Sequence, residues 1–115
     1  DVIATQNIYG DILSDLAGGL VGGIGVIPSA NVGDEYAVFA SVHGTAPDIA
    51  GEGLANPTAV ILSGAMLLER AGMDKKAGRL RDAVRTVIGR GETVTADLGG
   101  DASTTEMTDA IIAEL

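Results

Sequence analysis

The chain has no cysteine, which excludes a disulfide framework and thiolate chemistry and is compatible with a reducing, cytoplasmic setting. Fixed positive charge is equally scarce at one end. All 7 lysines and arginines fall between Arg70 and Arg90, against 16 acidic residues spread along 115 positions. The formal net charge of −9 argues against nucleic-acid binding, because neutralising phosphates needs a basic face. No apolar run is long enough to span a bilayer. The longest, Leu16 to Pro28, is interrupted by glycine, and its Gly18/Gly22 and Gly19/Gly23 spacing points to close backbone packing rather than a membrane helix pair. The opening Asp1-Val-Ile-Ala-Thr5 reads as the inside of a strand and not as a targeting signal. Two common phosphate-binding signatures are also missing, a G-x-G-x-x-G after a strand and a Walker A lysine motif, so neither a Rossmann nor a P-loop site is supported.

What is present reads as one domain of alternating strands and helices, an α/β layered arrangement. Val2 to Thr5 is expected to form a short buried strand. From about Gly10, Ile12, Leu13, Leu16 and Leu20 recur with helical period until Gly22-Gly23-Ile-Gly25 dissolves the helix. Ser29 to Glu35 reads as turn, Ala37 to Val42 as a strand, and His43 to Ala55 as a long ordered loop. Asn56-Pro57 is a strong helix start, with Val60, Ile61, Leu62, Met66, Leu67 and Leu68 making the helix largely buried and Gly72 closing it. Asp74 can cap the next helix, whose inward stripe is Ala77, Leu80, Val84, Val87 and Ile88 and whose Lys75, Lys76, Arg79, Arg81 and Arg85 form a solvated face. Thr93 to Thr95 is a weak strand. Ser103-Thr-Thr-Glu106 is a capping box opening a last helix with Met107, Ile111 and Leu115 inward.

Two segments carry chemistry. Asp11 and Asp15 are four residues apart, so a helix puts both carboxylates on one face, about 5–6 Å apart at Cβ. Such a pair repels unless a cation lies between, and a hard divalent ion, Mg²⁺ or Mn²⁺, takes oxygen ligands of this kind. The competing reading is a pair of first-turn acids favoured by the helix dipole. The second segment, His43-Gly-Thr-Ala-Pro-Asp48, offers backbone amides to phosphate, an imidazole to an adenine or ribose, and a carboxylate to a ribose 2′-hydroxyl. That carboxylate would repel a 2′-phosphate. Asn56 can cap its helix and still present an amide to a base edge. Taken one at a time, these residues read as structure, His43 as a satisfied loop residue, Asp48 as a turn former and Asn56 as a cap alone; it is the joint pattern that changes the balance.

Together, Asn7-Ile-Tyr-Gly-Asp-Ile-Leu-Ser-Asp15 and His43-Gly-Thr-Ala-Pro-Asp-Ile-Ala-Gly-Glu-Gly-Leu-Ala-Asn-Pro57 resemble the β-decarboxylating dehydrogenases, the isocitrate, 3-isopropylmalate and homoisocitrate enzymes. Thr95-Ala-Asp-Leu-Gly-Gly100 and Ala102-Ser-Thr104 extend the likeness to that family's C-terminal portion. The resemblance implies a partial isocitrate/isopropylmalate dehydrogenase-like domain spanning 1–115, the C-terminal fragment of a larger enzyme. It implies that Asp11 and Asp15 bind Mg²⁺ or Mn²⁺ and that His43, Gly44, Thr45, Ala46, Pro47, Asp48 and Ile49 wrap the adenosine end of the cofactor. Asn56 matches the family's adenine-contacting asparagine. Asp48-Ile49 is similar to the NAD-using members, where NADP users tend to carry Lys-Tyr. The glycine-rich stretch from Leu16 to Gly25, with Gly33-Asp-Glu-Tyr36 and His43-Gly-Thr45, looks nearer isocitrate dehydrogenases than isopropylmalate enzymes.

The implied reaction is metal-assisted oxidative decarboxylation of a small 2-hydroxy acid with NAD, in an enzyme that forms a dimer or higher homo-oligomer. Ala40 stands where the family commonly has Glu. The family's catalytic Tyr and Lys and its substrate-gripping Ser/Arg segment have no match here, so no catalytic residue is assigned and the chain by itself is expected to be inactive. Two non-enzyme readings stand beside this one, a stand-alone nucleotide- or metal-binding module and an interaction protein whose glycine-rich helix packs on a partner.

Overall fold

A computed structural model describes residues 2–115 as a helix-rich arrangement with one small sheet. Helix α1 runs Asn7–Val21, strands β1 and β2 run Pro28–Val32 and Ala37–Ser41, and helices α2, α3 and α4 run Thr58–Arg70, Asp74–Arg90 and Thr104–Ala113. Short 3₁₀ turns lie at Pro47–Ile49 and Ala96–Leu98. The sheet is a two-stranded antiparallel hairpin in which Pro28 faces Ser41 and Val32 faces Ala37.

The core belongs to the second half of the chain. Ala83, Val84 and Val87 of α3 meet Val94 and, from α4, Met107 and Ile111, with Ile61, Leu62, Leu80, Leu98 and Ala110 packed around them. Full burial of a side chain the size of Met107 or Ile111 is worth about 1.5–3 kcal/mol. The flanking backbone chemistry delivers these helices to one another. Gly72, at φ +74°, ends α2, and the N–H groups of Gly72 and Met73 return to the carbonyls of Glu69 and Leu68 at 2.9 and 2.8 Å. Gly91, at φ +69°, ends α3. The box at the start of α4 forms as its spacing predicts. Ser103 Oγ accepts from the Glu106 N–H and the Glu106 carboxylate accepts from the Ser103 N–H. The hairpin lies on α2, where the Ser63 hydroxyl is 2.8 Å from the Ala40 carbonyl of β2 and 2.9 Å from the Ala59 carbonyl of its own helix.

Several local expectations change. Val2 to Thr5 forms no strand and is exposed, Val2 at 95%, because nothing lies alongside to complete a ladder; Asp1, which opens that expected strand, lies outside the described residues. Ser29 to Val32, expected as turn, is the strand that pairs with β2. Thr93 to Thr95 forms no strand. Val94 and Thr95 are buried, and their carbonyls accept from Ala102 and Gly100 within one tight loop. Helix α2 is only partly buried, since Val60 and Leu67 face outward. Asp74 is the first residue of α3 and makes no side-chain cap. Ala83 replaces the more exposed Ile88 in the inward stripe, and Leu115 is exposed at the chain end.

Candidate functional site

Helix α1 carries Asp11 and Asp15 as its periodicity requires, one turn apart on a shared face, both exposed. Neither forms an ion pair among the described residues, and no third His, Cys, Asp or Glu joins them there. The pair therefore fits a hard divalent cation as two oxygen donors of a larger set, the rest coming from substrate, water or another segment. The helix ends where Gly22 and Gly23 take φ of +129° and +110° and Gly23 N–H bonds the Gly18 carbonyl at 2.9 Å. This reversal brings Ile24 and Gly25 to the wall of the main cavity.

That cavity, about 540 Å³, is walled by four stretches of the chain: Ile24-Gly25, His43-Gly44 with Ala46 and Ile49, Leu54 to Asn56, and Ala96-Asp97. A neighbouring cavity of about 430 Å³ shares His43, Gly44, Ala46, Ile49, Leu54 and Ala55 and adds Thr45 and, from α4, Thr104 and Thr105. The hairpin fixes where this loop begins. β2 ends at Ser41, so His43 emerges at the cavity mouth with its Nδ1 2.9 Å from the Gly44 carbonyl. A carbonyl only accepts, so Nδ1 is the donor of this bond. Ala46 takes φ +42°, ψ +62° ahead of Pro47, a left-handed conformation that costs a non-glycine residue about 1–2 kcal/mol. The 3₁₀ turn that follows closes with Ile49 N–H on the Ala46 carbonyl at 3.1 Å. The turn puts Ile49 in both cavity walls, whereas Pro47 and the exposed Asp48 line neither. The far side of the loop is tied to α4, where Thr104 N–H donates to the Gly53 carbonyl at 2.7 Å.

Asn56 has both ends of its amide engaged. Its Oδ1 accepts from Thr58 N–H at 2.9 Å, which is the cap expected of Asn-Pro, with Pro57 already in helical conformation. Its Nδ2 donates to Asp97 Oδ2 at 2.9 Å, and Asp97 Oδ1 accepts from the Thr95 hydroxyl. The loop that holds Asp97 has no slack. A Cβ added to Gly100 would lie 2.0 Å from the Val94 carbonyl oxygen, so only glycine fits. Nothing in the local sequence marks Asp97, because the 41 residues that separate it from Asn56 carry no shared period or spacing. The only signal was that Thr95-Ala-Asp97 lies in a stretch already resembling the dehydrogenases. Neither cavity is lined by a lysine or arginine.

Residues 1–111 match the family described as isocitrate/isopropylmalate dehydrogenase. The isocitrate/homoisocitrate dehydrogenase of Thermus thermophilus is 58% identical over 115 residues, all of this chain and 34% of that protein. The mitochondrial NAD isocitrate dehydrogenase catalytic subunit 5 of Arabidopsis thaliana is 51% identical over 112 residues, 96% of this chain and 30% of that one. Among solved structures, the isocitrate dehydrogenase of Methylococcus capsulatus superposes with a TM-score of 0.90 at 52% identity, over 94% of this chain and 32% of its own. The chain thus spans about a third of the length of the curated relatives it matches.

Proposed function

The chain belongs to the isocitrate/isopropylmalate dehydrogenase family, and from that membership we propose that it is the metal- and adenosine-holding portion of an NAD-dependent isocitrate dehydrogenase. The observation that carries the cofactor half is the cavity wall. It is built from the His43 loop, Asn56 and Asp97, contains no cation, and has the Asp48 carboxylate on the turn beside it. A wall of this charge suits the free 2′-hydroxyl of NAD and opposes the 2′-phosphate of NADP. Asp11 and Asp15 would hold Mg²⁺ or Mn²⁺, which when bound would chelate the substrate's oxygens and polarise the new carbonyl so that carbon dioxide can leave.

The role of these residues is to bind and orient. The His43 ring stands at the cavity mouth, Ile49 and Leu54 supply apolar walls, and the Asn56 amide is held in one orientation. A tricarboxylate also needs cations around it, and every lysine and arginine of this chain lies on the end of α2 or on α3, from Arg70 to Arg90. Those charges come from another segment, in keeping with a chain that is a third of its relatives' length. The exposed apolar side chains of α1 support an enzyme that is assembled from more than this segment. Homoisocitrate is the second reading, favoured by the Thermus thermophilus relative whose name carries both substrates.

The test is steady-state kinetics of the full-length enzyme carrying this chain, with Mg²⁺ or Mn²⁺. The kcat/KM for isocitrate is expected to be higher with NAD than with NADP, and higher than for 3-isopropylmalate. Preference for NADP would overturn the cofactor assignment, and preference for 3-isopropylmalate the substrate. The 115-residue polypeptide alone is expected to show no turnover, and measurable turnover would overturn its reading as a portion of the site.

A further inference from the structure

We propose that Thr104 is the anchor of the loop after β2, a positioning residue that acts on dinucleotide binding by tying residues 42–55 to helix α4. This inference rests on the reading of that loop as cofactor-binding and adds to it a residue outside the loop that governs how much of the time the loop is in place.

Residues 42–55 hold themselves together weakly. All but His43 are exposed, and none of their side chains joins the core cluster. The backbone bonds within the stretch are those of short turns, Ile49 N–H on the Ala46 carbonyl at 3.1 Å, Ala50 on Pro47 at 3.4 Å and Glu52 on Ile49 at 3.2 Å. Among the described residues, the two hydrogen bonds that tie this stretch to another part of the chain both come from Thr104. Its N–H donates to the Gly53 carbonyl at 2.7 Å, and its hydroxyl donates to the Ala55 carbonyl.

The place of Thr104 in its helix suits it to that task. It is the first residue of α4, where a backbone N–H has no acceptor within the helix and is free to donate outward. The Ser103–Glu106 box fixes this first turn, and Met107, three residues on, is fully buried in the core. The rigidity of the core thus reaches the loop through one residue, at the end where Leu54 and Ala55 line the main cavity. Two bonds and no buried side chain leave the anchored state only marginally favoured, as in other locally opening loops. Apparent affinity then falls with the anchored fraction, and a bound dinucleotide must in turn protect the anchor. One neutral hydrogen bond changes that balance by about 2- to 10-fold.

The test is steady-state kinetics of the full-length enzyme carrying this chain, with NAD varied at saturating isocitrate and Mg²⁺. Thr104→Val keeps the backbone donor and loses the hydroxyl, and is expected to raise KM for NAD by about 3- to 10-fold at unchanged kcat. Thr104→Ser keeps the hydroxyl and is expected to return KM to the wild-type value. Thr104→Pro removes both donors at a helix position that accepts proline, after a Ser103 already extended at ψ 165°, and is expected to raise KM further. Thr86→Val removes a comparable hydroxyl, bonded to the Asp82 carbonyl of α3 at 2.8 Å, and is expected to leave KM unchanged. An unchanged KM in Thr104→Val, a Thr104→Ser enzyme no better than Thr104→Val, or an equal rise in Thr86→Val would each overturn the anchor. Preference for NADP would sink the NAD reading alone, since the same ratios measured with NADP would still decide the anchor. Should Thr104→Val not fold, hydrogen exchange of the wild type decides. The Thr104 amide is expected to exchange more slowly with NAD bound, and equal exchange with and without it overturns the inference.

Discussion

Residues 2–55 and residues 57–113 are built on opposite economies of surface. In the second stretch three helices close on Met107, Ile111, Val84 and Val87, and every hydrophobic side chain of the core lies at Ala59 or later. In the first, α1 packs against no other helix or strand, and Ile8, Tyr9, Ile12, Leu16, Leu20 and Val21 are all at least 60% exposed. Yet α1 carries both aspartates read as metal-binding, and the loop after β2 carries seven of the eight residues read as cofactor-binding. The candidate chemistry thus sits on the half that does not bury itself, positioned from behind by the half that does. Asn56 and Asp97 join the two. The buried core supplies rigidity, and the half that carries the candidate site leaves its apolar faces exposed.

The contrast can be broken by stability measurements on the 115-residue chain. The largest effect is expected in the second half, where Met107→Ala removes a fully buried side chain and is expected to cost about 2–5 kcal/mol in urea denaturation. A loss below about 1 kcal/mol there would mean that the three-helix unit is not the stable part.

Ser103→Ala tests the same half through its capping box, with an expected cost of about 1 kcal/mol. It also has a pH signature. The Ser103 backbone N–H, and then its hydroxyl, bond the Glu106 carboxylate and hold its pKa below the usual carboxylate value. A depressed folded pKa contributes stability that is full above the unfolded value and is lost as pH falls through the folded one. Stability should therefore decline on acidification below the ordinary carboxylate range, and Ser103→Ala should flatten that decline. An unchanged slope in the variant would disconnect the box from the acid limb.

The smallest effect belongs to the first half. Leu20→Ala, at a side chain 85% exposed, is expected to change the isolated chain's stability by less than about 0.5 kcal/mol. The same substitution in the full-length enzyme sharpens the comparison, since a larger cost there would show that α1 is covered in the assembled protein. A large cost in the isolated chain would refute the division.

The two halves were also unequally legible in the sequence. Helical period and cap chemistry identified α1, α2, α3 and α4, because an i,i+3/i+4 stripe, Asn-Pro and Ser-x-x-Glu are local codes. Strands were harder. Val2-Ile-Ala-Thr5 has strand composition but no neighbour, while Pro28-Ser-Ala-Asn-Val32 has turn composition and becomes a strand because β2 lies beside it. Pairing decides a strand, and pairing is not written in a five-residue window. In the site, the same limit hid Asp97. The Asn56 cap was readable from its proline, but the carboxylate that orients its amide arrives from a loop shaped by Gly100.

The Ser63 hydroxyl, shared between the Ala40 and Ala59 carbonyls, couples the hairpin's motion to a helix that belongs to the core. Backbone amides of β2 should therefore open to solvent in the same cooperative unit as α2, while those of α1 open separately and more often. The main cavity then has one wall expected to breathe with the core and one, at Ile24-Gly25, expected not to. Ligand capture by such a cavity is set less by its resting shape than by how often its loosest wall returns to register.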